Sequence, residues 1–221
     1  MTEQAPLLRL TGGGACDRRD AAVTEAADTF RRQQCLRLPA LLDPVLLASV
    51  QNGIERGRFF TKHHGDAATE LCLEPDATVG LLHFLINDAV MYRLIEDLSG
   101  SPVRCFFGRV YRHVPGTDHH HAWHSDLTEH RTLGLSLNLS RTPYDGGVFE
   151  IRELGRPETT AAVANLAPGD AVLFRLGERL EHRITPVTGH SPKTAFAGWF
   201  RLEPDYLATL RASLHDHDPA R

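Results

Sequence analysis

Two hydrophobic rhythms divide the chain. Up to about residue 100 the apolar positions recur at three- and four-residue steps. In ATVGLLHFLINDAVMYRLIEDLSG, Leu81, Leu82, Leu85, Val90, Leu94 and Leu98 share one face, which predicts an amphipathic helix ending near Gly100. His83 falls inside it as a packed or surface helix residue. LPALLDPVLLASVQNGIERG predicts another helix from about Pro44 into the fifties, because proline is tolerated in a first helical turn. Beyond Pro102 the period drops to two. RTLGLSLNLS alternates Leu133, Leu135, Leu137 and Leu139 with Thr132, Gly134, Ser136 and Asn138, as a strand with one core face requires. VRCFFGRVYRHV, VFEIRE, DAVLFRL, EHRITPV and KTAFAGWFRL are further short strands, separated by turns such as Asp145–Gly147 and Pro168–Asp170. That pattern predicts an antiparallel sandwich or barrel. No βαβ rhythm, phosphate-binding glycine loop or internal repeat accompanies it.

A chain of 221 residues can bury a full core and is read as one compact domain over 19–221. Residues 1–18, with TGGGACDRR, are expected to be a flexible segment of little packing capacity. Helical support is expected over 19–100, the sheet core over 103–202, and a short helix or tail over 203–221. The net charge of −4, from 24 basic and 28 acidic residues without a Lys/Arg-rich run, argues against a nucleic-acid partner. The longest apolar run is interrupted by Asn87 and Asp88, so no membrane span is expected. There is no basic-then-apolar leader and no evident protein-docking domain. Four dispersed cysteines without CxxC fit a reducing, cytoplasmic setting.

The chemistry concentrates in HHHAWHSDLTEH, residues 119–130. His124 and Asp126 are two apart and point to the same side of an extended chain. A sheet fold can bring His182, at the start of HRITPV, opposite them. Two imidazoles and one carboxylate make the facial triad of a non-haem Fe(II) oxygenase, which leaves positions open for cosubstrate and oxygen. Zinc accepts the same ligands, so the triad alone leaves the metal open. Lys193 follows His182 by eleven residues and supplies a cation suited to the far carboxylate of a keto acid.

WHSD, LGLSLNLS, YDGGVFEIRE, PGDAVLF, LEHRITPV and KTAFAGWF occur in an order that resembles the 2-oxoglutarate- and Fe(II)-dependent dioxygenases, and most nearly their prolyl 4-hydroxylase-like branch. The resemblance spans roughly residues 103–202. It implies a mainly β fold with supporting α-helices, a double-stranded β-helix of the jelly-roll or cupin-like kind. It also implies Fe(II), 2-oxoglutarate and O2 as metal and cosubstrates. By that likeness His124, Asp126 and His182 match the iron ligands, and Lys193 matches the residue gripping the 5-carboxylate of 2-oxoglutarate. Tyr111 resembles a tyrosine that lines the cosubstrate pocket; Asn138 and Thr194 are further pocket candidates. The implied reaction is hydroxylation of an unactivated C–H bond in a small-molecule or amino-acid-like substrate, coupled to decarboxylation of 2-oxoglutarate.

His119, His120 and His121 are read as a solvated loop, with His121 a candidate for the substrate mouth. His190, in the polar turn GHSP, is the rival of His182 as distal ligand. Trp123 is expected to point away from the site into packing, and Trp199 and Phe200 to pack the last major strand. Arg152 and Arg175 fall on core strands, where an isolated charge is costly; each needs a carboxylate partner or an acidic substrate. Asp126 argues against a halogenase, which lacks that carboxylate. Peptide prolyl hydroxylation, a cupin-like metal isomerase, and a non-catalytic jelly-roll binding module are the alternatives.

Overall fold

The computed structural model describes residues 5–65, 68–128, 130–164 and 166–202; the helix or tail expected over 203–221 lies outside them. A hairpin of β1 (Arg9–Thr11) and β2 (Gly14–Cys16) leads to α1 (Asp20–Gln33), β3 (Cys35–Leu38) and α2 (Pro44–Arg56). The hairpin β4 (Phe59–His64) and β5 (Ala68–Leu73) follows, then α3 (Ala77–Ile86) and α4 (Ala89–Ser99). The remainder is strand: β6 (Cys105–His113), β7 (His120–His124), β8 (Arg131–Asn138), β9 (Asp145–Gly146) and β10 (Phe149–Glu153). It continues with β11 (Thr159–Val163), β12 (Ala171–Arg175), β13 (Leu180–Ile184), β14 (Val187–Thr188) and β15 (Lys193–Arg201).

α2 begins where proline predicts, capped by the Asp43 carboxylate accepting from the Val45 and Leu46 backbone N–H groups. The single helix expected over 77–100 is instead two, bent by 55°. Two side chains cause the break. Asp88 caps α4 by accepting from Val90 N, while Asn87 pairs with both the N–H and the carbonyl of Phe106 on β6. No single described helix is long and apolar enough to cross a membrane.

The N-terminal segment departs from the expected flexibility. Leu7, Leu8 and Leu10 are at most 7% exposed, and Leu10 bonds through its backbone to Leu41 and Asp43. The glycines of TGGGACDRR serve the β1–β2 turn, and the leucines before them supply the burial.

The sheet runs β11-β10-β13-β7-β5-β6-β15-β8-β12-β3, with β4 paired to β5, and its pairs are antiparallel. This is the double-stranded β-helix that the resemblance implies. Unlike the expectation of purely helical support, residues 35–73 contribute three of its strands. One core joins the helices to Leu133, Leu135 and Leu137 of β8 and to Phe106, Phe196 and Phe200. A second core, of Phe149, Ile151, Val172, Phe174 and Ile184, fills the roll itself. The other face of β8 meets that interior with small residues. Phe174 lies across Gly134, where a Cβ would stand 2.1 Å from its ring. Ser136 lines the cavity beside it, as does Tyr111.

Candidate active site

Strand register sets the metal-ligating group. His182 on β13 and His124 on β7 are direct antiparallel partners, so both imidazoles leave the sheet on one face. Asp126 lies just past the end of β7. Its Oδ2 stands 3.6 Å from His124 Nε2 and 3.4 Å from His182 Nε2. One ligand atom from each of the three lies within 4.8 Å of the others. His124 donates from Nδ1 to the Ala122 carbonyl at 2.7 Å, which turns Nε2 toward the shared point. Trp199 Nε1 donates to Asp126 Oδ2 at 2.8 Å. Burial alone would raise the Asp126 carboxyl, but His124 and His182 hold it far below the usual range. Burial lowers His182; against the same burial, Asp126 and the Ala122 carbonyl raise His124. His190 has no place in this cluster.

Lys193 opens β15 and is 3% exposed. Its Nζ donates to the Gly147 carbonyl at 2.7 Å, and burial pushes it down to about 7. No carboxylate pairs with it among the described residues. Gly147 has φ 58°, and a Cβ there would stand 2.9 Å from Lys193 Cδ, so only glycine allows this approach. Directly across the strand pair lies His113, fully buried, with neither ring nitrogen bonded. Tyr111 lines the cavity at the triad, its ring 5.2 Å from His121 and 4.9 Å from His113.

The cavity above the triad encloses about 670 Å³. Its wall includes Phe60, Lys62 and His63 of β4, Phe107 and Arg109 of β6, Arg131 and Trp199. His121 is on it too, but not in the solvated loop expected. His120 and His121 open β7 and pair with Thr69 and Ala68 of β5, and His121 Nε2 meets Glu70 Oε2 at 2.8 Å. Glu70 is fully buried and also takes bonds from Arg109, His64 and Cys72. Burial would raise its carboxyl, but His121, His64 and Arg109 hold it well below the carboxylate range. Glu70, His113 and His121 form a second close cluster, but its carboxylate is already neutralised by Arg109. Glu70, Arg109, Arg131 and Trp199 were not found from the sequence. ATELCL and FFTKHH carry the β-branched and aromatic signal, but they lie within the stretch read as helical.

Four expected pocket residues are not brought to the cavity. Arg152 points to the outer face of the sheet, where it donates to Glu181 at 2.7 Å and covers Trp123 at 3.9 Å. Trp123 does point away from His124, yet it is held between Arg152 and Arg183 rather than in a core. Arg175 donates to the Ser99 carbonyl and Ser101 Oγ near Phe30. The Asn138 amide braces loops, donating to Leu166 O and accepting from Ser140 N. Thr194 lies one residue out of phase with Lys193 and accepts from Arg112, which also bonds Glu55. Trp199 was expected only to pack; it lines the cavity and holds a triad member. His83 is a packed helix residue as expected, bonding Val79 O and Gly108 N.

Residues 108–201 match the family model of the 2OG-Fe(II) oxygenase superfamily. No curated protein matches the chain significantly. Among solved structures, an oxidoreductase of the 2OG-Fe(II) oxygenase family from Burkholderia pseudomallei superposes with a TM-score of 0.62 at 19% identity, covering 90% of this chain and 96% of its own. A Pseudomonas putida prolyl-4-hydroxylase gives 0.62 at 17%, covering 82% and 100%. The non-heme alpha ketoglutarate dependent epimerase SnoN from nogalamycin biosynthesis gives 0.62 at 17%, covering 83% and 84%. At these identities the likeness to the solved structures is one of fold.

Proposed function

We propose that this chain, whose residues 108–201 match the 2OG-Fe(II) oxygenase superfamily, is an Fe(II)- and 2-oxoglutarate-dependent dioxygenase that hydroxylates an unactivated C–H bond of a small-molecule substrate. The observation that carries the reading is the convergence of His124, Asp126 and His182. Two imidazoles and one carboxylate suit Fe(II) and leave one face of the ion free. The buried, carboxylate-less ammonium of Lys193 and the unbonded nitrogens of His113 suit the distal carboxylate of 2-oxoglutarate.

When bound, iron and 2-oxoglutarate supply the oxidising power: O2 is consumed, the cosubstrate becomes succinate and carbon dioxide, and one oxygen atom passes to the substrate. The chain supplies geometry. Ala122 and Trp199 fix the orientations of His124 and Asp126. Lys193 exchanges the Gly147 carbonyl for a carboxylate, and Tyr111 and Phe174 wall the cavity against water. The four free cysteines support a reducing, cytoplasmic setting.

Anaerobic titration with Fe(II) and 2-oxoglutarate tests the site: the metal-to-ligand absorption band is expected in the wild type and lost in His182→Ala and Asp126→Ala. A band that survives both substitutions would sink the ligand assignment. A succinate-release screen of small molecules and proline-containing peptides then separates substrate classes. A product 16 mass units heavier marks hydroxylation, whereas an unchanged mass marks epimerisation and a loss of two hydrogens marks desaturation or ring closure.

A further inference from the structure

The cavity wall carries Lys62, Arg109 and Arg131 against one carboxylate among the described residues, Asp126. Two of these charges are already assigned. Asp126 belongs to the triad, and Arg109 is bound to the buried Glu70. Arg131 differs. Its guanidinium lies 3.8 Å over the Trp199 ring, and among the described residues no carboxylate pairs with it. The same indole donates to Asp126 Oδ2. A planar fork of N–H donors therefore sits on the cavity wall, one indole away from the triad; Asp126 attracts it at a distance, but among the described residues no carboxylate reaches it as an ion pair. Desolvating such a group is costly unless an anion meets it.

The cosubstrate is not that anion. Arg131 and Lys193 serve opposite ends of β15: Arg131 is the register partner of Arg201, eight residues beyond Lys193. Trp199, on which Arg131 stacks, is six residues from Lys193, about 20 Å of extended strand. A five-carbon diacid that chelates the metal and reaches Lys193 does not also reach Arg131. Phe107, the register partner of Trp199, and Phe60, Leu73 and Pro75 give the same cavity an apolar part of its wall.

We infer that the substrate is an organic acid with an apolar body, anchored by its carboxylate on Arg131 so that its carbon skeleton lies over the triad. This rests on the dioxygenase reading and names the substrate class for that site. Arg152 and Arg175, the core-strand charges expected for this role, are already engaged, Arg152 by Glu181 and Arg175 by the Ser99 carbonyl, and Arg131 takes it.

The test pairs each acid with its own carboxamide: aliphatic acids of four to ten carbons, 3-phenylpropionate and indole-3-acetate. Binding is read on anaerobic Fe(II)–2-oxoglutarate enzyme as a shift of its absorption band. It is read separately on metal-free Trp123→Phe protein, where Trp199 is the remaining indole, as quenching of fluorescence. At least one acid is expected to bind ten or more times tighter than its amide, roughly the discrimination a charge-assisted pair provides. Arg131→Gln is expected to abolish that preference, and Arg131→Lys to restore part of it. No acid preferring the site over its amide, or a preference unchanged in Arg131→Gln, would overturn the inference. Absence of the wild-type band would strike the metal and cosubstrate reading instead, and the fluorescence arm would still decide the acid preference.

Discussion

His124 and Asp126 are each held by a group that is not a metal ligand. The Ala122 carbonyl fixes the tautomer of His124, and the Trp199 N–H occupies one side of Asp126 Oδ2. Trp199→Phe keeps a ring beneath Arg131 but removes the donor. Its Fe(II) affinity is expected to fall roughly ten- to a hundredfold, as for other outer partners of metal ligands. Equal affinities by metal titration would show that the indole does not orient the carboxylate. At this scale the HxD spacing was legible, because two residues apart on an extended chain always share a side. The partners were not. Glu70, Arg109 and Arg131 reach the site through strand pairings that no local pattern encodes.

At the scale of elements, β8 lies between two cores, with Gly134 on the face turned to the second. Phe174 lies across it, and the same ring packs 4.7 Å from His182. Gly134→Ala forces that ring aside. It is expected to cost about 1–3 kcal/mol in urea unfolding, the usual cost of overpacking a filled core. Adding Phe174→Leu should recover part of this, since the two positions share one space. Strictly additive losses would show that the ring does not transmit the strain. The alternation of β8 was readable as a strand, and Pro44 as a helix start. The break between α3 and α4 was not, because apolar periodicity continues across it. Asn87 is drawn out by the backbone of Phe106, a contact nineteen residues away.

Over the whole molecule, Lys193 couples stability and cosubstrate binding to pH. Facing it are His113 from β6, the Gly147 carbonyl and the Tyr144 ring, with no carboxylate among the described residues. Its folded pKa of about 7 lies below the value near 10.4 of an unfolded lysine. Between those values the unfolded chain binds a proton that the native state does not, so stability rises with pH across the window, by up to about 1.4 kcal/mol per unit. The melting temperature of the wild type relative to Lys193→Met is therefore expected to climb between pH 7 and 9; parallel profiles would refute the burial of this charge. Cosubstrate binding requires the charged form, so 2-oxoglutarate affinity should weaken over the same range, and Lys193→Arg should remove that dependence. The sequence by itself determined the sheet-rich C-terminal half and the shared side of His124 and Asp126, because period-two alternation and a two-residue spacing act through the chain's own geometry; His182 and Lys193 took their roles from the family resemblance. Only the tertiary structure decided that residues 35–73 join the sheet, that Arg152 and Arg175 face away, and that Arg131 faces in. Register decides those, since shifting a strand by one residue moves every side chain to the other face.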